Sequence, residues 1–161
     1  AQELNLEPID CLDYQTLVHR IEHVADHSAS ISRNIASLNR NQQFSNPMLD
    51  HIQKLGKEVL ELYDEAAKAF FSGDADTSND LIRRQNRLGE KLSACTVGET
   101  NATLACMMCS IRDSLRRIAE YSADIAEITI NHSHKPVGYR PYDEAVKDKM
   151  WWWKEGKNQS E

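Results

Sequence analysis

SLRRIAEYSADIAEITIN, residues 114–131, sits inside a run of apolar and small residues at Leu104, Met108, Ile111, Leu115, Ile118, Ser122, Ile125 and Thr129. Spacings that alternate between four and three keep one face of an α-helix apolar. Glu120 and Asp124 lie off that face, one helical turn apart, with Ala123 between them. The same Glu-x-x-Ala-Asp pattern occurs at Glu22, Ala25 and Asp26, inside a second periodic run of Leu17, Ile21, Val24, Ser28, Ile31, Ile35 and Leu38. A shift of 98 residues superposes Leu17 on Leu115, Glu22 on Glu120 and Asp26 on Asp124. The chain therefore contains two versions of one amphipathic helix, and the rest is read around them.

Working outward, the seam Ile52, Leu55, Val59, Leu62, Ala66 and Ala69 predicts a helix over about 48–72, after the Asn46-Pro47 start signal. Ser72-Gly73-Asp74 reads as a left-handed helix stop and an acidic cap, which makes a tight antiparallel hairpin. A further helix over about 76–92 rests on Leu81, Gln85, Leu88 and Leu92, and the polar break through Gly98 leads to a cap at Thr100 or Asn101. With helices over about 14–38 and 101–131, the expectation is an all-α antiparallel four-helix bundle over residues 11–132. Asp10 or Asp13 is placed to cap the first helix. Residues 133–161 form a C-terminal tail with one short helix over Tyr142 to Trp153. Its consecutive Trp151, Trp152 and Trp153 stand about 100° apart on a helix, so at least one is exposed or at an interface, and the cluster is expected at an interface.

Composition narrows the function. At 161 residues the chain suits one compact domain, and its net charge of −6 repels a phosphate backbone, which argues against nucleic-acid binding. No apolar run is long enough to cross a membrane, and residues 1–10 have no signal-peptide pattern. Ala1 in place of Met suggests a processed, tagged or excised piece, which leaves room for a domain before it. Cys11, Cys95, Cys106 and Cys109 read as free thiols of a reducing cytoplasm, with Cys106 and Cys109 as small core residues of the last helix. No phosphate-binding loop and no nucleophile paired with a base is present, so catalysis has no support.

Carboxylates four apart on a helix supply two oxygen ligands for a cation, and a metal needs more than one such pair. Glu22 with Asp26 and Glu120 with Asp124 are the candidate ligands, flanked by His19, His23, His27, Asp113 and Glu127. Spacing alone describes a solvated acidic face equally well. Neither motif contains the Glu-x-x-His pair of di-iron bundles, which disfavours a metal-storing or oxidising bundle.

Residues 114–131 resemble the third-helix signature of PhoU domains, and residues 17–34 resemble a second copy of it. That family consists of three-helix repeats whose third helices carry a Glu/Asp-x-x-x-Asp motif ligating multinuclear metal clusters at the surface, so the resemblance implies a bound metal such as iron or zinc at Glu22, Asp26, Glu120 and Asp124. Helices two to four are similar to one full repeat. Helix one is then the last helix of a preceding repeat, or it closes a four-helix bundle; the family also has forms with an AbrB-like DNA-binding domain before the PhoU region. The function the resemblance implies is negative regulation of phosphate uptake and phosphate homeostasis. Phosphate-transporter components or a sensor kinase at the cytoplasmic membrane face are the implied partners. A structural homodimer without metal is the alternative, and a homo-oligomer is expected in either case.

Overall fold

The computed structural model describes residues 8–40, 46–94 and 102–133. Every element among them is a helix: α1 (Pro8–Arg40), α2 (Asn46–Ser72), α3 (Ala75–Ala94) and α4 (Ala102–Ser133). The chain is an all-α four-helix bundle. Cys95, the Thr100 or Asn101 cap, the Tyr142 to Trp153 helix and the three tryptophans lie outside the described residues.

α4 is the hub. It packs on each of the other three helices, α2 and α3 pack on each other, and α1 lies almost wholly against α4. All eight seam positions expected for α4, from Leu104 to Thr129, are buried. So are Ser114, Ala119 and Ala126 on its other sides, where small side chains let neighbouring helices approach closely. The buried hydroxyls of Ser122 and Thr129 donate to the carbonyls of Ile118 and Ile125 one turn back, so the core holds no bare hydroxyl at either place.

The α2–α3 hairpin forms as the turn residues dictate. Gly73 takes φ +67°, its N–H donates to Phe70 and that of Asp74 donates to Ala69, which together satisfy the last carbonyls of α2. Asp74 then caps α3, accepting from the Thr77 N–H at 2.9 Å and its hydroxyl at 2.7 Å. Those bonds favour the carboxylate and hold Asp74 below its ordinary 3.8. Across the hairpin, Arg84 bonds to Glu65 and Lys91 to Glu58, so the cations lining the α2–α3 groove are largely committed to α2 carboxylates.

α1 departs from the sequence expectation. It begins at Pro8, where a proline costs a helix no internal hydrogen bond. Asp10 is accordingly inside the first turn and fully buried, so it does not cap the helix from outside. The face turned to α4 is also rotated. Leu17, Val24 and Ile31 point inward as expected, but Ile21 and Ile35 are exposed, at 41% and 51%. Arg20, His27 and Asn34 take the inner places instead.

Two further residues differ. Cys106 is exposed and Cys109 half-buried, because directing Leu104, Met108 and Ile111 to the core turns position 106 away from it. Neither is the core residue the sequence suggested. Together with the exposed Cys11 they are free thiols.

Candidate functional site

The α1–α4 seam gathers the chemistry of the molecule. Asp13, Arg20, His27 and Asn34 recur every seven residues along α1, beside the apolar row Leu17, Val24 and Ile31. Each polar member meets a partner on α4, which runs antiparallel. Asn34 donates to the Ser110 hydroxyl at 3.2 Å, and His27 lies 5.9 Å from the Tyr121 ring. Arg20 reaches Asp124, and Asp13 meets His132 at 2.8 Å. One row of α1 is thus apolar and the next is polar but matched.

Tyr121 is the platform at the middle of the seam. His23 stacks on it with ring centroids 5.2 Å apart and an interplanar angle of 22°, and the Arg20 guanidinium stands 5.5 Å from its centroid. Arg20 Nε is 2.8 Å from Asp124 Oδ2 yet off the hydrogen-bond axis, so this contact is an ion pair without an aligned N–H.

The sequence-predicted residues fall around this platform. Glu120 accepts from Arg116 at 2.7 Å and from Arg117 at 3.0 Å, and Asp124 pairs with Arg20. Both carboxylates are about one-third exposed, at the rim of the seam rather than on an open outer face. Glu22 is exposed with His19 at 3.7 Å, and Asp26 is exposed. Asp113 pairs with its neighbour Arg112, and Glu127 faces solvent. His19 and His23 are exposed, the latter with its ring on Tyr121, and His27 is half-buried because the rotation of α1 turns it toward α4. A cation at the α4 pair would compete with three guanidinium groups.

Among the described residues, donors of the kind that hold a metal converge elsewhere, at Asp10, Asp13 and His132, whose ligand atoms all lie within 4.8 Å of one another. Sequence reasoning missed this group by treating both aspartates as caps and ending α4 at residue 131. The available signal was the antiparallel register, which pairs Asn34 with Ser110 and so carries Asp13 to His132.

Burial lowers the pKa of His27 from its ordinary 6.5, the Arg117 guanidinium and then His23 add to that, and Asp26 and Glu120 pull it back. A depressed histidine binds fewer protons folded than unfolded. Stability therefore falls as pH drops through 6.5 and levels off below the folded pKa. Thermal melts across that window should show the decline, and His27→Gln should flatten part of it. An NMR titration placing His27 at or above 6.5 would contradict this account.

Comparison of the chain with protein families, curated proteins and solved structures gave no match.

Proposed function

We propose that this bundle is a non-catalytic regulator of phosphate transport, which restrains uptake by docking on a transporter component or sensor kinase at the inner face of the membrane. One observation carries the reading: the two versions of the repeated helix lie against each other, bringing both Glu-x-x-Ala-Asp motifs to one level of the α1–α4 seam. There Arg20 of the first copy pairs with Asp124 of the second, and His27 feels Asp26 and Glu120 together. The result is a rim of partly exposed, mixed charge over a tyrosine platform, suited to a protein partner. The resemblance of residues 17–34 and 114–131 to PhoU third helices supplies the phosphate context. No helix among the described residues is long and apolar enough to cross a membrane, so docking would be peripheral.

Cations on Glu22 with Asp26 and on Glu120 with Asp124 would stiffen this rim, the second pair only by displacing its arginines. The test is labelled-phosphate uptake in the host under phosphate-replete growth. Deleting the gene should raise uptake, wild type should restore it, and combined Glu22→Gln, Asp26→Asn, Glu120→Gln and Asp124→Asn should not. Unchanged uptake on deletion would reject the reading.

A second reading, a self-pairing structural module, is favoured by the exposed stripe Val18, Ile21, Ala25, Ser28, Ser32 and Ile35. About a two-fold axis, an antiparallel second copy of α1 sets Val18 against Ile35, Ile21 against Ser32 and Ala25 against Ser28, bulky at the ends and small at the centre. Sedimentation of wild type against Ile21→Lys decides it, since a monomer in both cases excludes this face as a dimer seam.

A further inference from the structure

We infer that Asp10, Asp13 and His132 form a divalent transition-metal site that clasps the first turn of α1 to the last turn of α4. The donor set of carboxylate and imidazole suits zinc, cobalt, manganese or ferrous iron. The three residues hold unequal places. His132 Nδ1 and Asp13 Oδ2 share a 2.8 Å hydrogen bond, the arrangement in which a carboxylate takes the ring N–H and leaves Nε2 as the ligand. His132 Nε2 and Asp10 Oδ1 stand 3.5 Å apart. That exceeds a good N–H···O distance. It matches the edge between two ligands held about 2.1 Å from one tetrahedral cation, which is about 3.4 Å.

The surroundings favour a dication. The Asp10 side chain is 1% exposed, and those of His132 and Asp13 are 16% and 19% exposed. The rings of Tyr14 and Phe70 stand 6.0 Å and 6.2 Å from the imidazole, which keeps bulk water from one side. Two carboxylates and an imidazole gathered where solvent screens charge poorly make a donor set that a dication suits. Asp10 and His132 Nε2 would bind directly, Asp13 would hold the ring, and water would complete the shell.

This site shares no residue with the Glu-x-x-Ala-Asp pairs, so one titration separates it from the function proposed above. Metal-free full-length protein is titrated with Co²⁺, whose visible bands report coordination geometry. One equivalent should give the intense absorption of a four- or five-coordinate site, and the band should persist when Glu22, Asp26, Glu120 and Asp124 are all changed to their amides. His132→Gln should abolish it. Asp13→Asn should weaken binding about 10- to 100-fold, as loss of the group orienting a metal-bound histidine does. A wild type without a saturable band overturns the inference and leaves the three residues as an ion-paired latch. So does an undiminished band in His132→Gln; where that variant fails to fold by circular dichroism, unchanged affinity in Asp13→Asn decides equally. A band lost only in the four-amide variant would place the metal at the acidic rim and reject it here.

Discussion

Ile125→Ala should lower the stability of the whole bundle by about 2–5 kcal/mol. The expected loss of melting temperature is roughly 4–20 °C for a domain of this size. Ile125 is fully buried on α4, the helix against which the others are built. Close neighbours on the same helix, Ser122, Ala126 and Thr129, are themselves fully buried, so little of the space left by three carbons can be refilled by a local shift. The loss should also be shared by all four helices. α2 and α3 need α4 to complete their core, and among the described residues α1 has almost no other neighbour. A single transition at the lower temperature is therefore expected by circular dichroism and by near-ultraviolet signals alike. Cys106→Ala on the same helix is the control: its side chain is exposed, and a change within about 0.5 kcal/mol is expected. Equal effects of the two substitutions would mean that α4 is not the hub.

The contrast between α4 and α1 shows what a periodic pattern can and cannot reveal. On α4 the inner face is made of Leu, Ile and Met spaced by four and three, and every expected position is buried. The α2 seam from Leu55 to Ala69 and the leucines of α3 follow the same rule. What stays hidden on α4 is its further burial at Ser114, Ala119 and Ala126, because small residues carry little hydrophobic signal while permitting close helix approach. That hidden burial is why α1 defeats the simple reading. A helix docking beside polar positions such as Ser110, Tyr121 and Asp124 needs a matched polar row, so Arg20, His27 and Asn34 displace Ile21 and Ile35 from the inner face. Their transfer costs are offset by partners that only the register supplies.

The same limit governs the site. Spacing within one helix identified the pairs Glu22/Asp26 and Glu120/Asp124, since residues four apart share a side. The same spacing sets Arg116 and Arg117 beside Glu120, which both grip, but it could not show that Arg20 of α1 reaches Asp124. Nor could it bring Asp10 to His132, which are 122 residues apart in sequence and meet only because α1 and α4 are antiparallel and of nearly equal length, 33 and 32 residues. Motifs local to a helix are legible. Clusters made by two helices need the register as well.

Val24→Asp should release α1 while α2, α3 and α4 stay folded. Val24 is 8% exposed at the middle of the α1–α4 seam, and it lies on the same face as Leu17 and Ile31. An aspartate there either enters the seam without a partner or pushes the helix off. Burying it unpaired costs about 3–5 kcal/mol. Detachment costs less than for a core helix, because the polar row of this interface is held largely by hydrogen bonds and ion pairs that water can replace. Tyr14 meets Phe70 of α2 edge-on, a contact too small to hold the helix alone. Free of α4, α1 would fray, since an isolated helix of this composition has little stability of its own in water. Hydrogen exchange resolved by residue is the measurement. Amides of α1 should exchange at least about 100-fold faster than in wild type, the factor that corresponds to nearly 3 kcal/mol, while those of α2 to α4 keep most of their protection. Uniform loss of protection across all four helices would show that α1 is an integral wall of the core. Selective loss would show that α1 opens independently of the three-helix unit.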